Sequence, residues 1–165
     1  MPFLRLFREG EVVMSQTQLK IGAIDLFKET EQFYRDHIGA GAIASFCGHV
    51  RSHSKSGRVD YLYLDWYPGF SEKTLDQIAR DAHQRFSLLG LKVVHGCETI
   101  MAGEPIVFVA AASDHRRAAL EAVDYMMDRL KSEAGFWKKE VGEGGEVWID
   151  PTPQDGLDLN RWNEK

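Results

Sequence analysis

The chain has 165 residues, of which 44% are hydrophobic and 27% are charged, and its formal net charge at pH 7 is −5. This length and composition are typical of a soluble globular protein with one domain and a buried core. The negative charge argues against general nucleic-acid binding, because proteins of that class carry a basic surface.

The two ends of the chain predict segments outside this domain. The apolar residues near the start are too few and too interrupted for a signal sequence or a membrane span, and residues 14–16 resemble a natural start. We therefore expect residues 1–16 to be a flexible extension, residues 17–150 to form the domain, and residues 151–165 to be a loose polar tail. Two cysteines without metal-ligand spacing, and no signal peptide, indicate free thiols in a reducing cytoplasm.

Hydrophobic periodicity predicts alternating strands and helices in the first half of the chain. The β-type pattern is strongest at residues 42–51, where Gly48 marks a bulge or a close approach of another strand. Apolar residues at helical spacing follow Ser71, the predicted N-cap, and end at Gly90. The predicted elements are a strand at 17–21, a helix at 25–38, strands at 42–51 and 59–67 around a polar loop at 52–57, and this second helix.

The sequence of the second half of the chain predicts four more strands and a third helix, and the last two strands form a hairpin. These elements are a strand at 91–97, a turn at 102–105, a buried strand at 106–112, a helix capped by Ser113 and Asp114, and a hairpin of strands at 136–141 and 146–149. Several neighbouring strands are joined by turns alone. This favours an α+β fold with a mixed or antiparallel sheet over a doubly wound parallel sheet.

Two lysines near the end of the last predicted helix have the setting of a reaction site. Lys131 falls where the amphipathic pattern ends, Gly135 breaks the helix, and Lys138 follows two bulky aromatic residues. The two lysines lie on either side of a turn and beside aromatic rings, so their amines can converge on one pocket. A lysine held against apolar surface loses hydration, which makes its neutral amine accessible near neutral pH. On this stretch alone, packed aromatic rings and two solvated lysines are the simpler interpretation.

Two basic clusters are candidates for binding an anion. Residues 113–117 leave a buried strand and open a helix, where free N–H groups and the helix dipole favour an anion and cationic side chains are unfavourable without one. This mismatch points to a phosphate or carboxylate ligand near His115 and Arg116. The loop after the strong strand carries Arg51 and His53, as binding loops often do, although a solvated polar loop explains it equally well.

Other chemistry-bearing residues have simpler interpretations. His49 and His95 lie within strand patterns and are predicted to be core or interface histidines, and Cys47 is predicted to be a buried thiol rather than a nucleophile. No group of His, Cys, Asp or Glu has metal-ligand spacing, and no glycine-rich phosphate loop is present. We therefore expect neither a metal nor another cofactor.

Taken in order, the motifs of this chain resemble those of the catalytic (large) subunit family of molybdopterin synthase. The resemblance runs from about the first strand to Trp148, and the ordered set is highly specific although each motif is weak alone. The matching stretches are residues 41–51 (GAIASFCGHVR) with His53, 67–69 (YPG) with Glu72 and Lys73, 103–109, 113–116 (SDHR), 127–131 (MDRLK), 136–140 (FWKKE), and Trp148.

The resemblance implies an α/β-hammerhead-type fold with an additional small antiparallel β subdomain. It implies a sulfurtransferase that converts cyclic pyranopterin monophosphate (precursor Z) to molybdopterin. The two sulfurs would arrive as thiocarboxylate on the Gly-Gly C-terminus of a small ubiquitin-like sulfur-carrier subunit. A homodimer of the large subunit would carry one small subunit on each side and so form a heterotetramer.

By position, the resemblance also assigns roles to basic residues. They are Lys131 and Lys138 as catalytic lysines; Arg51, His115 and Arg116 as substrate-binding residues; and His53 and Lys139 as further pocket candidates. The chain departs from the family at Gly135, where proline is frequent, and at Trp66, where histidine is frequent. A basic residue expected shortly after Trp148 is missing.

The chemistry of the residues agrees with this resemblance. Transfer from a thiocarboxylate needs a proton acceptor and a stabilised oxyanion, and a lysine pair supplies both if one amine is neutral and the other charged. Lys131 is the expected base or nucleophile, and the sulfur donor is expected to be another protein because this chain ends in Asn163-Glu164-Lys165. The alternative is a non-enzymatic docking module for a ubiquitin-like partner. A nucleotide-phosphate enzyme is a second rival, but it lacks a base-recognition motif.

Overall fold

The computed structural model describes residues 15–163 and confirms the expected α+β fold. Residues 1–14 of the predicted extension lie outside the described residues. Within residues 15–163, no helix combines the length and the apolar character needed to cross a membrane. The strands are β1 (Gln16–Ile21), β2 (Ala42–His49), β3 (His53–Ser54), β4 (Gly57–Asp65), β5 (Gly90–Met101), β6 (Pro105–Ser113), β7 (Trp137–Gly142) and β8 (Gly145–Ile149); the helices are α1 (Leu26–Asp36), α2 (Phe70–Arg85), α3 (Arg116–Glu133) and α4 (Pro153–Asn160).

One long strand, β5, belongs to two sheets. Its first part pairs with β6 and β1 and gives the order β2-β6-β5-β1, in which β1 runs parallel to β5 and the other pairs are antiparallel. Its last residues pair with β4 and give the antiparallel order β5-β4-β7-β8, with β3 paired to β4. Glu98, with a φ of 61°, lies where β5 passes between the two sheets. The second sheet is the expected small antiparallel subdomain.

Both faces of the first sheet are buried. Helices α2 and α3 cover one face, where Val93 and Val109 belong to the larger core cluster. Helix α1 covers the other face, where Phe33 packs with Val94 and Phe108. Because β6 is covered on both sides, its sequence is a continuous apolar run rather than an alternating one, whereas the equally covered β5 also buries Lys92 and His95. The predicted buried strand at 106–112 is confirmed as the centre of β6.

The start of α2 differs from the prediction. Its N-cap is Gly69 rather than Ser71. Gly69 has a φ of 82°, a conformation that costs glycine little, and it lets the chain enter the helix two residues earlier. The Glu72 carboxylate accepts a hydrogen bond from the Gly69 N–H at 2.6 Å, while the buried Ser71 hydroxyl accepts one from the Tyr67 N–H at 3.1 Å.

The segment after β8 is folded, so the prediction of a loose tail is wrong. Thr152 caps α4: its hydroxyl accepts from the Asp155 N–H at 3.3 Å, and the Asp155 carboxylate accepts from the Thr152 N–H at 2.8 Å. Trp162 then enters the core with 6% of its surface exposed, and its indole N–H donates to the Asp128 carboxylate at 2.7 Å. Arg161 binds the same carboxylate at 2.7 Å. A single buried tryptophan therefore holds the otherwise polar tail against the domain.

Candidate functional site

A cavity of about 380 Å³ lies where β2 and α3 end, β7 begins and the tail crosses toward α4. It brings together three of the predicted site residues, Arg51, Lys131 and Lys138. Its other lining residues are His49, Val50, Ser54, Val59, Leu62, Phe136, Glu140, Ile149, Asp150, Pro151, Thr152 and Asp155. The cavity therefore combines cationic groups, acidic groups and an apolar wall.

The turn between α3 and β7 determines which lysine faces the cavity. Gly135 adopts a φ of 70°, and a Cβ atom there would lie only 2.9 Å from the Phe70 ring. The chain therefore passes directly under that ring and enters β7 at Trp137. Because side chains alternate along a strand, Lys138 points into the cavity and Lys139 points to the opposite face of the sheet.

Lys138 has the electrostatic setting of a reactive amine. Burial lowers the pKa of Lys138 from its ordinary value of 10.5, and the charge of Lys131 lowers it further, while Asp155 acts in the opposite direction. A lowered lysine pKa means that the neutral amine is present at lower pH than in a free lysine. Such a shift beside a like charge in a cavity is typical of functional sites.

His95 forms part of the wall behind this lysine. It is 6% exposed, its Nδ1 lies 2.7 Å from the Gly96 carbonyl oxygen, and its ring stacks on Phe136 with centroids 4.4 Å apart. Burial lowers the pKa of His95 to about 4, against the Gly96 hydrogen bond and with a further contribution from Lys138. His95 is therefore neutral at pH 7, and the prediction of a core histidine is confirmed.

Lys131 occupies a more open position at the end of α3. Its side chain is 55% exposed, and its Nζ lies 3.4 Å from Oδ1 of Asp155. Hydrogen bonds from the Thr152 hydroxyl and N–H lower the pKa of Asp155, burial opposes them, and the charge of Lys131 assists them. The tail therefore places a carboxylate beside the Lys131 ammonium.

Arg51 reaches the cavity from the loop after β2. The predicted irregularity at Gly48 is confirmed: the pairing with β6 shifts between Gly48 and His49, and a Cβ at Gly48 would lie 2.8 Å from Val107. After this bulge, His49 is exposed and lines the cavity, so of its two predicted settings, core or interface, the core is wrong. His53 is exposed in β3 and is not among the lining residues.

Lys139 belongs to the outer face of the second sheet. Its Nζ lies 2.8 Å from a Glu146 oxygen, 5.7 Å from the Tyr63 ring centroid and 5.4 Å from that of Trp148. The hydrogen bond to Glu146 is the main cause of the raised pKa of Lys139, with burial acting against it. The structure thus separates Lys139 from the cavity that it was expected to extend.

His115 and Arg116 lie far from the cavity within one chain. His115, rather than Ser113 or Asp114, is the N-cap of α3. This helix start lies beside the beginning of β2, since a Cβ at Gly41 would be 2.3 Å from the Asp114 carbonyl oxygen. The cavity lies at the other end of β2, roughly 20 Å away at the rise of an extended strand. Arg116 instead lines a second groove, of about 430 Å³, with Ala42, Ile43, Ala44, Ser45, Phe46, Ala119, Leu120, Val123, Asp124 and Met127.

Three acidic residues line the cavity without having been predicted there: Glu140, Asp150 and Asp155. Glu140 is two positions after Lys138 in a strand, so the alternation that identifies Lys138 also identifies it. Asp155 stands three positions after Thr152, with proline between them, which is a recognisable helix start. Within residues 15–163, no three His, Cys, Asp or Glu side chains are grouped so as to hold a metal ion.

Comparison with known proteins gives one consistent family. The model of the MoaE protein family matches residues 16–133. A molybdopterin synthase catalytic subunit from Caulobacter vibrioides is 47% identical over 125 residues, which cover 76% of this chain and 82% of that protein. A molybdopterin biosynthesis MoaE protein from Burkholderia ambifaria has a TM-score of 0.76 at 34% identity, over 91% of this chain and 99% of its own.

A more distant structure shares the fold. It is a complex of subunits 1 and 2 of molybdopterin-converting factor from Helicobacter pylori, with a TM-score of 0.70 and 18% identity over 81% of this chain and 90% of that chain. The family match covers most of the chain and includes the cavity residues Arg51 and Lys131. The resemblance inferred from the motifs is thereby confirmed, and this chain belongs to the MoaE protein family.

Proposed function

We propose that this chain is the catalytic subunit of a molybdopterin synthase, transferring two sulfurs from the thiocarboxylate of a small ubiquitin-like carrier to precursor Z. The observation that carries the proposal is the convergence of Lys131 and Lys138 on one cavity. Family membership supports the same reaction, because relatives are named for it. We place the reaction in the cytoplasm, where the free thiols of Cys47 and Cys97 would stay reduced.

The two lysines suit two different tasks. Each transfer forms a carbon–sulfur bond at a substrate carbon in place of a carbon–oxygen bond, whose oxygen leaves as water or stays on the phosphate. The carbon–sulfur bond of the thiocarboxylate breaks, and water supplies the oxygen of the carboxylate left on the carrier. Lys138, whose pKa is lowered by burial, suits the proton acceptor or nucleophile. Lys131, paired with Asp155, suits the cation that stabilises the oxyanion. This assignment exchanges the roles expected from the sequence, in which Lys131 was the base.

Arg51 is the cavity's candidate for holding the substrate phosphate. A guanidinium can donate two parallel hydrogen bonds to phosphate oxygens, which fixes orientation as well as position. His49, on the same segment, offers a further donor at the cavity wall. The phosphate would therefore lie near the end of β2, with the ring extending toward β7.

A homodimer reconciles the positions of His115 and Arg116 with a substrate-binding role. Strand β2 pairs with β6 on one side and, among the described residues, with no strand on the other. If two copies meet at the free edge of β2 about a two-fold axis, their β2 strands lie side by side and antiparallel. The start of one strand, with its neighbouring His115 and Arg116, would then face the end of the other, where the cavity lies. The apolar groove beside Arg116 supplies surface for such a contact.

The docking-module alternative is favoured by one observation. The outer face of the β7–β8 hairpin exposes aromatic surface: Trp137 is 59% exposed and Trp148 is 53% exposed. Such a face suits the carrier subunit, and the catalytic proposal also requires the carrier to bind. A docking role alone gives no reason for a half-buried cavity lysine beside a second lysine, with its pKa lowered, so we favour the enzyme.

Reconstitution separates the two functions. The purified chain is mixed with a thiocarboxylated carrier and precursor Z, and dithiolene formation is measured alongside carrier affinity. We expect Lys138→Ala to abolish product while leaving carrier affinity unchanged, and Lys139→Ala, the adjacent lysine on the other face, to retain turnover. Carrier binding without any dithiolene from the unmodified chain would establish the docking module instead.

A further inference from the structure

His95 is a polar residue on a core face of β5, and the proposed reaction assigns it no task. Side chains alternate along a strand, so His95 lies on the same face as Leu91 and Val93, which belong to the larger core cluster. Only 6% of the surface of His95 is exposed. A buried polar side chain is more informative than a buried apolar one, because hydrogen bonds have to offset its lost hydration.

The ring of His95 is held in one orientation. Its Nδ1 lies 2.7 Å from the carbonyl oxygen of Gly96. Because a carbonyl oxygen can only accept a hydrogen bond, Nδ1 carries the proton, and this bond fixes the rotation of the ring. The ring stacks on Phe136, with centroids 4.4 Å apart and planes tilted by 31°. His95 thus presents an oriented flat surface to Phe136.

Phe136 lies in the short connection between α3 and β7. Gly135, just before it, has a φ of 70°, and Trp137, just after it, is the first residue of β7 that pairs with β4. Phe136 is therefore outside the hydrogen-bonded ladder, so its position depends on the packing of its side chain. Phe136 and Lys138 are two positions apart, and both line the cavity. The packing of Phe136 is therefore in a position to determine where the Lys138 amine lies.

We propose that His95 is a positioning residue, whose ring holds Phe136 and through it sets where Lys138 enters the cavity. The inference rests on the proposed function in one respect, because it takes Lys138 to be the reacting amine. His95 itself is neutral at pH 7, since burial lowers its pKa to about 4, and it adds no charge beside that amine. Its effect on Lys138 passes through the packing of Phe136.

The charges that face Lys138 come from other residues and stay unchanged when His95 is replaced. Lys131 on α3 and Asp155 on α4 are the two charges that act on the pKa of Lys138. The other titratable or charged groups that line the cavity are Arg51, His49, Glu140 and Asp150. A change in the titration of Lys138 that follows from replacing His95 therefore reports the position of the amine relative to these groups and to solvent.

A double-mutant cycle on the titration of Lys138 tests the proposal without any sulfur transfer. The pH midpoint for acetylation of Lys138 by acetic anhydride, read by mass spectrometry, is measured in His95→Gln, in Phe136→Leu and in the double variant. Burial and the charge of Lys131 both lower the pKa of Lys138, so an amine released from its position should titrate at higher pH. We expect each single variant to raise the midpoint, and His95→Gln to add nothing once Phe136 is already leucine.

Two further variants separate positioning from a general loss of core packing. His95→Phe keeps a ring that can stack on Phe136, so its midpoint should stay close to that of the unmodified chain. The matched control is Leu91→Val, which alters a residue that is 2% exposed and lies four positions earlier on the same face of β5. It should lower the stability measured by urea unfolding and leave the midpoint of Lys138 in place.

The outcomes are distinct from those of the reconstitution. An unchanged midpoint in either single variant would overturn the inference, and so would a midpoint as high in His95→Phe as in Phe136→Leu. Shifts that add in the double variant would also overturn it, because His95 would then act by a route other than Phe136. The same holds for an equal shift in Leu91→Val, which would indicate a general effect of lost packing. A chain that shows the expected shifts but forms no dithiolene would retain His95 as the residue that positions Lys138 and lose the proposed reaction.

Discussion

Lys138 acquires its properties from neighbours that can be removed one at a time. Burial is the first cause of its lowered pKa, and the charge of Lys131 is the second. Both causes disfavour the ammonium form, so the neutral amine is present at lower pH than in an exposed lysine. Lys131 is more exposed, and its Nζ lies 3.4 Å from Oδ1 of Asp155.

Replacing Lys131 with methionine should therefore raise the pKa of Lys138 toward its ordinary value. The pH dependence of acetylation of Lys138 by acetic anhydride, followed by mass spectrometry, measures the change without requiring activity. We expect the midpoint to move to higher pH in Lys131→Met and to stay in place in Lys139→Met, where the lost charge lies on the opposite face. An unchanged midpoint in Lys131→Met would show that the two amines do not sense each other.

Helix α1 is attached to the sheet by a buried charge. Glu29 is 6% exposed and lies 2.6 Å from the Lys92 ammonium and 2.5 Å from that of Lys20. Burial raises the pKa of Glu29, but the hydrogen bonds and charges of the two lysines outweigh it and leave the pKa below 4.5. Because the folded-state pKa is depressed, this contribution to stability is present above about pH 4.5 and is lost as the pH falls through the folded-state value.

Glu29→Gln should lower the free energy of unfolding by about 3–5 kcal/mol at pH 7, because it leaves two ammonium groups around a neutral amide. Urea unfolding measures the loss. The control is Glu31→Gln, on an exposed pair with Arg35 in the same helix, for which we expect a change of at most about 1 kcal/mol. Equal losses in the two variants would contradict the account of the buried triad. So would a Glu29→Gln penalty of the same size below the folded-state pKa.

The tail is an element whose stability depends on one residue. Trp162 packs edge-on against Phe86 and Tyr125, with ring centroids 6.1 and 5.3 Å apart. Trp162→Ala should cost about 3–5 kcal/mol in the free energy of unfolding, as is usual for a buried aromatic side chain. Leu157→Ala, on an exposed position of α4 (63% exposed), should cost about 0.5 kcal/mol or less. A Trp162 variant as stable as the Leu157 variant would show that the tail does not depend on this contact.

The elements differ in how far the sequence could predict them. The hairpin of β7 and β8 and the bulge at Gly48 follow from local patterns, and the structure confirms both. The tail was predicted wrongly because composition describes its polar majority, whereas the burial of Trp162 depends on partners far away in the chain. Within the site, alternation along β7 separates Lys138 from Lys139, but the resemblance had placed both lysines in the pocket, so the expectation for Lys139 was wrong. The contribution of Asp155 required knowledge of where the tail returns.

For the whole molecule, the proposed homodimer is what would bring Arg116 to the cavity. The cavity contains Lys131, Lys138 and Arg51, whereas Arg116 lies at the far end of β2. If the dimer supplies Arg116 from the partner copy, mixed dimers of Lys138→Ala and Arg116→Ala should contain one intact site. Random assembly of the two inactive chains should then restore roughly a quarter of the unmodified activity. No recovery from verified mixed dimers would mean that Arg116 acts within its own chain or not in the site.

Following the sulfur itself shows whether this cavity passes sulfur from a carrier to a pterin. The carrier is labelled with ³⁵S in its thiocarboxylate, mixed with the chain and precursor Z, and the label in the pterin product is counted against the carboxylate formed on the carrier. We expect two labelled sulfurs per molybdopterin and one carrier carboxylate per sulfur with the unmodified chain, and no labelled product with Lys138→Ala. Label that stays on the carrier with the unmodified chain, or reaches the pterin at the same rate with Lys138→Ala, would contradict this expectation.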